Sequence, residues 1–208
     1  VSPLLLELVN APLEAVAAEV AVVAFFADDR PLTGGAGRAD WRLCGALSHL
    51  LIANHLRGEP GEAVLIPGQG GVAAPLVLAL GLGARAEFGR EALARFCADA
   101  LDRARRLRRT QVALGWPDRL RPSPAEQVDA LLAGVAGIAA GPEPGLERVR
   151  LSAPLAETPV LAEGLRARAE ALPAGVTVLL PPPPPTQPRR VGPSPGPALP
   201  SAARMRVK

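Results

Sequence analysis

Apolar residues recur along this chain with two different periods, and the changes of period mark out the elements. Leu4–Val9 and Val20–Phe26 predict strands, the second an unbroken apolar run of the kind covered on both faces. Between them, Ala11–Glu19 is a short connection. Asp28-Asp29-Arg30-Pro31 breaks the pattern, and Thr33-Gly34-Gly35-Ala36-Gly37 predicts a loop. A helix is predicted from Asp40, as its N-cap, to about Leu56, with Leu43, Cys44, Leu47, Leu50 and Leu51 along one face. Gly58-Glu59-Pro60-Gly61 ends it. Ala63–Ile66 and Leu76–Leu80 then predict an antiparallel pair around the loop that opens Pro67-Gly68-Gln69-Gly70-Gly71.

The second half alternates more regularly. A helix is predicted over Arg90–Arg108, with a buried stripe of Leu93, Phe96, Cys97, Ala100, Leu101, Ala104 and Leu107. Arg103, Arg105, Arg106, Arg108 and Arg109 gather at its C-terminal end, where the helix dipole favours cations. Gln111–Leu114 predicts a strand. Ser123-Pro124-Ala125-Glu126 is a capping box with proline at the first helical position, and it starts a helix through Val128, Leu131, Leu132, Val135 and Ile138. Arg148–Ser152 predicts a strand, Thr158-Pro159 opens a helix carrying Leu161, Leu165, Ala169 and Leu172, and Val176–Leu180 predicts the last strand. Strands alternating with helices predict an α/β fold: a mixed, mostly parallel sheet with helices on its faces. The folded body is placed at 1–180. From 181 to 208 the sequence is rich in Pro, Gly, Ser and Arg with almost no apolar pattern, and predicts an extended, disordered tail.

Charge sharpens that division. The chain carries 23 Lys and Arg against 20 Asp and Glu, a net +3. Five of the basic residues (Arg189, Arg190, Arg204, Arg206 and Lys208) lie in the tail, which has no acidic residue, so the body is close to neutral. A weak, salt-sensitive contact with nucleic acid or an acidic protein is therefore expected of the tail alone. Its proline run reads as a spacer, although Pro182–Pro185 has the P-x-x-P spacing that aromatic-lined grooves take up. The N-terminus lacks a positive start and is interrupted by Glu7, Glu14 and Glu19, and no apolar run reaches bilayer length, so a cytoplasmic protein is expected.

Candidate chemistry is sparse. His49 and His55 are the only histidines and lie on different faces of one helix, so they do not chelate a single metal. Cys44 and Cys97 fall on apolar stripes and read as buried free thiols. Asp28, Asp29 and Asp40 read as turn and cap residues rather than as a catalytic cluster. The glycine-rich turns are the best ligand candidates. Gly81 and Gly83 follow a strand and precede a helix, the side of an open α/β sheet where phosphates bind. No catalytic residue, metal site or cofactor is expected.

Four ordered strings change this picture: Phe25-Phe26-Ala27-Asp28-Asp29-Arg30-Pro31-Leu32, Asp40-Trp41-Arg42-Leu43-Cys44-Gly45, Gly58-Glu59-Pro60-Gly61-Glu62 and Leu80-Gly81-Leu82-Gly83. With the helix after Phe88, they resemble the N-terminal domain of the M17 family of leucyl (cytosol) aminopeptidases. The resemblance spans roughly Val22 to Pro117 and fades beyond about Pro142. It implies a macro-domain-like, three-layer α/β/α sandwich that supports hexamer assembly and carries no catalysis. In that family the chemistry belongs to a C-terminal two-metal domain whose signature has no counterpart here, and Lys208 is the only lysine. The function expected is thus a non-catalytic assembly module acting through protein–protein contacts or self-association. The alternative is a macro-type domain that binds a nucleotide or ADP-ribose-like ligand at the Gly81–Gly83 turn.

Overall fold

The computed structural model describes residues 3–139, 145–172 and 174–182. Seven strands form one sheet: β1 (Leu4–Val9), β2 (Val20–Phe25), β3 (Ala63–Pro67), β4 (Leu76–Gly81), β5 (Gln111–Gly115), β6 (Arg148–Ser152) and β7 (Val176–Leu179). Their order across the sheet is β3-β4-β2-β5-β6-β1-β7. Every neighbouring pair is parallel except β3 with β4, which is antiparallel as the sequence predicts. The expectations for the residues from 183 onward, including Pro183–Pro185 and the tail arginines and lysine, lie outside the described residues.

The centre of the sheet follows from β2, whose side chains divide between two cores. Val20 and Val22 point to one face, where α3 (Arg90–Arg106), α4 (Pro124–Ala139) and α5 (Thr158–Ala167) pack. Ala21, Val23 and Phe25 point to the other, against α1 (Gly34–Arg42), α2 (Ala46–Ile52) and a 3₁₀ turn at Leu13–Ala15. This is the three-layer α/β/α sandwich. The first core is the larger and takes most of the leucines, among them Leu93, Leu101, Leu131, Leu151, Leu161 and Leu165. The capping box forms as the sequence predicts. The Ser123 N–H donates to Glu126 Oε2 at 2.8 Å, and the Glu126 N–H faces Ser123 Oγ at 3.4 Å.

Where the structure departs from the pattern, tertiary contacts explain it. The segment expected to loop through Gly34–Gly37 is the first turn of α1: Asp118, far along the chain, accepts the Gly35 N–H, and Gly37 lets the turn lie against the Leu32 carbonyl, where a Cβ would come within 2.6 Å of the oxygen. The single helix expected from Asp40 to Leu56 is two helices, broken where Cys44 (φ 53°) and Gly45 (φ 80°) turn left-handed. Asp40 therefore does not cap its own helix. It lies inside α1, buried, and its carboxylate accepts the N–H groups of Leu47 at 2.8 Å and Ser48 at 3.2 Å, together with the Ser48 hydroxyl at 2.5 Å. These are the orphan donors at the start of α2, so one buried side chain closes the break.

The same break moves Cys44. Its left-handed backbone carries the thiol out to solvent, against the buried position expected, while Cys97 is fully buried between α3 and α4. Leu107, expected on the buried stripe, lies just past the end of α3 and is only partly covered. Burial pushes the Cys97 thiol up, well beyond the usual thiol range. Titration of the native protein with a thiol reagent is expected to modify Cys44 alone, with Cys97 reacting only on unfolding. Simultaneous reaction of both thiols in the native state would contradict this packing.

Candidate functional site

Parallel strands present their carboxyl ends on one edge of the sheet, and here β2 and β5 lie side by side while their chains leave in opposite directions. The connection after β2 runs through α1 and α2 toward β3 and β4, and that after β5 runs through α4 to β6. Such a switch point opens a crevice, the usual ligand position in an open α/β sheet. Phe26, Thr33, Gly35, Trp116, Asp118 and Ser152 line it.

The crevice is filled by the chain's own charged groups. Asp118, three residues beyond β5, sets its carboxylate on the first turn of α1, where Oδ2 accepts the Gly35 N–H at 3.1 Å. A Cβ on Gly34 would overlap that carboxylate, and Gly34 has φ 56°, so glycine is required there twice over. Arg85 closes the arrangement from the other side. Its guanidinium donates to the Asp118 carbonyl at 2.8 Å, pairs with Asp29 Oδ2 at 2.8 Å and stacks over the Phe26 ring at 3.9 Å. Phe26 meets Phe88 edge to face, with centroids 5.2 Å apart, and this fixes the ring on which Arg85 rests. The Asp28 carboxylate accepts the Arg85 N–H. The remaining cavity is about 30 Å³, room for little more than one water.

The aspartates have structural partners, though not all those expected: Asp28 holds the loop after β4, Asp29 pairs with Arg85, and Asp40, expected to cap its own helix, instead caps α2 from inside α1. His49 and His55 are both exposed, and no cluster of metal-ligating side chains is found among the described residues. Sequence reasoning did not single out Arg85 or Asp118. The signal available was positional, since each closely follows a strand end (Gly81 and Gly115) on the ligand side of the sheet.

Gly81 and Gly83 lie on the same edge, outside the crevice. The Gly81 N–H donates to the Glu62 carbonyl at 3.0 Å and the Gly83 N–H to the Gly58 carbonyl at 2.8 Å. Both glycines are needed for this close approach. A Cβ on Gly81 would clash with the backbone of Gly58 and Glu59, and one on Gly83 would come within 2.8 Å of the Pro60 ring. The turn they contact is itself held by Glu62, whose Oε2 accepts the N–H groups of Arg57, Gly58 and Glu59. Burial opposes the charge on Glu62, yet these three donors keep its carboxyl below the usual range. A 3₁₀ turn at Arg85–Glu87 separates Gly83 from α3, so the glycines do not open that helix directly. Beside them runs a groove of about 410 Å³, lined by Leu82, Phe88 and Phe96 with Arg95 and Arg103 at its rim.

The comparisons agree with this architecture. The profile described as "Cytosol aminopeptidase family, N-terminal domain" matches residues 22–138. No curated protein sequence matches the chain. Among solved structures, a mutant macrodomain from Oceanobacillus iheyensis superposes with a TM-score of 0.65 at 15% identity, covering 80% of this chain and 94% of that one. The macro domain of ganglioside induced differentiation associated protein 2 gives 0.61 at 13% identity, covering 76% of this chain and 81% of that one. A mutant tomato leucine aminopeptidase gives 0.58 at 14% identity, covering 79% of this chain but 35% of the enzyme. At these identities the likeness is one of fold. Other structures of the Oceanobacillus macrodomain are with ADPR and with ADP.

Glu157 borders the crevice through the Asp118 loop. Burial raises its carboxyl above the ordinary value of 4.5, the Arg119 N–H partly opposes this, and the Asp118 charge adds to it. A raised carboxyl pKa means that the native state disfavours the charged form, so Glu157 costs stability as pH climbs above about 4.5 and costs nothing well below it. Glu157→Gln is therefore expected to raise the melting temperature at pH 7, with the gain vanishing below pH 4. Thermal melts across that range read it directly; a loss of stability at pH 7 would count against the assignment.

Proposed function

Because the chain belongs to the cytosol aminopeptidase family through that family's N-terminal domain, we propose that it acts as a non-catalytic assembly module, engaging other protein surfaces. That domain is the part of the family that does not carry the catalytic centre. The filled crevice carries the reading. Where a macro-type fold offers space for a ligand, this one holds an Arg85–Asp29–Asp118 network and a cavity of about 30 Å³, against the roughly 300 Å³ or more that a ligand site needs. The outer surface is what the domain has to offer. There Trp41 on α1 is 84% exposed and Ile52 on α2 is 78% exposed; tryptophan in particular is enriched where proteins meet.

Size-exclusion chromatography with light scattering, on the body (1–180) and on the full chain, tests this. Self-association, or a defined complex with an aminopeptidase-family partner, is the expected result. A strict monomer at every concentration, with no such complex, would sink the reading.

One observation favours a second reading, a small-ligand site. The groove beside Gly81 and Gly83 is about 410 Å³, within the size range of ligand pockets, and its lining includes Arg95 and Arg103 beside Glu87 and Asp99. The macrodomain structures with ADPR and ADP name the ligand class to try. A ligand that binds only the native state must raise its melting temperature, by an amount that grows with concentration. Thermal-shift titration with ADP-ribose and ADP is the check, and a flat response at millimolar ligand would end this alternative.

A further inference from the structure

The sheet has two edges, and they are not equally protected. At one, β7 is four residues long and the chain passes from it into Pro181 and Pro182, which have no N–H to offer. At the other, β3 runs Ala63-Val64-Leu65-Ile66-Pro67 with no charged side chain anywhere in the strand. Natural edges are usually blunted by charge, bulges or cover, because unpaired N–H and C=O groups invite another strand. On β3 only Pro67, at the strand's end, serves that purpose.

The register fixes which groups are unpaired. β3 and β4 pair antiparallel, with Ala63 opposite Leu80 and Leu65 opposite Leu78. The Gly81 N–H donates to the Glu62 carbonyl at 3.0 Å and the Gly68 N–H to the Pro75 carbonyl at 2.8 Å. Residues exchanging bonds with β4 alternate along an antiparallel ladder, so Glu62, Val64, Ile66 and Gly68 face inward. Ala63 and Leu65 accordingly point their N–H and C=O groups outward, away from the sheet. Their side chains lie on the α3 face, because Leu65 opposite Leu78 belongs to that core's side.

That face is also incompletely covered. Leu65 is 42% exposed, and between β3 and the end of α3 lies a groove of about 410 Å³ lined by Ala63, Leu65, Leu78 and Leu107. The charged groups on its α3 wall are balanced within the chain. Arg103 pairs with Asp99 at 2.8 Å, and Arg106 pairs with Asp102 at 2.6 Å. The rim therefore carries no net charge to repel a like surface.

We propose that β3 pairs with β3 of a second copy of this chain, antiparallel about a two-fold axis, so that two seven-stranded sheets become one. Three observations select a second copy over another partner. The edge is apolar and uncharged, so it complements itself. Its free donors and acceptors, on Ala63 and Leu65, flank Val64, so a two-fold axis beside Val64 returns each donor to an acceptor. The wall of the groove is neutral by internal pairing, so two copies approach without repulsion, and each covers the other's Leu65. The proposal rests on the assembly reading above and names the surface that would serve it.

The test uses the full chain. Light scattering and sedimentation across a concentration range are expected to show a dimer. Leu65→Lys is expected to raise its dissociation constant by about tenfold or more, because it sets a charge in the buried centre of the interface, with an unchanged circular dichroism spectrum. Leu179→Lys, on the opposite edge, is the control and is expected to leave the dimer intact. Amide hydrogen exchange of the unmodified chain gives a second reading that needs no variant. The Ala63 and Leu65 N–H groups are expected to be protected in the dimer and to lose that protection on dilution. A folded Leu65→Lys protein that dimerises like the parent, or Ala63 and Leu65 amides that exchange freely in the dimer, would overturn the edge pairing while leaving the assembly reading standing. A parent chain that is monomeric throughout would overturn the edge pairing, and with it the assembly reading if no complex with an aminopeptidase-family partner forms either.

Discussion

A strand with no polar side chain from Val20 to Phe25 has to be hidden on both faces, and nearly everything else in this molecule answers that requirement. β2 sends Val20 and Val22 to one core and Ala21, Val23 and Phe25 to the other, so neither helical layer can be dispensed with. Its parallel neighbours β4 and β5 are equally apolar at their centres, and parallel pairing forces long crossovers that supply the covering helices. The side with α3 and α4 is packed most closely. A Cβ on Gly134 of α4 would come within 2.7 Å of Cys97 Cβ on α3, so the two helices touch at a glycine.

The same constraint places the crevice. Strands that all run one way must end together, and the opposite departures after β2 and β5 leave a gap between their loops. In this chain the gap is closed from within. Arg85 is held by a π-face, two carboxylates and a carbonyl, while Asp118 occupies the start of α1. Each partner satisfies a group that would otherwise be stranded in a partly dry site, where an unpaired charge is costly. The network therefore has a structural reason to exist, whatever the crevice holds in other macro-type folds.

Periodicity made the strands and the long helices legible in the sequence, since β1, β4, β5, β6, α3 and α4 each carry an unambiguous pattern over their own length. The capping box at Ser123 and the antiparallel β3–β4 pair were legible too, because both are set by residues close in the chain. What was not legible depended on distant contacts. Gly34–Gly37 reads as a loop until Asp118, far along the chain, is seated on it. The break at Cys44–Gly45 is hidden in an apolar pattern that would suit one continuous helix, and only the buried Asp40 carboxylate stabilises the second start. Of the site, the glycines at 81 and 83 drew attention by their spacing. The residues that fill the crevice, Arg85 and Asp118, carry no motif, because their meaning lies in a meeting of two loops that only the sheet order creates.

The Asp118 carboxylate on the Gly35 N–H has a further consequence. It is, in chemical terms, an anion that the protein supplies to itself. A free phosphate or carboxylate competing for the same N–H group would face a rival delivered on a short tether, whose effective concentration is on the order of millimolar even when the tether is floppy. Here the tether is not floppy, because Arg85 grips the carbonyl of the same residue. The α1 terminus is thus occupied by a carboxylate of the same chain, and any solute anion would have to displace a competitor that is covalently tethered beside it.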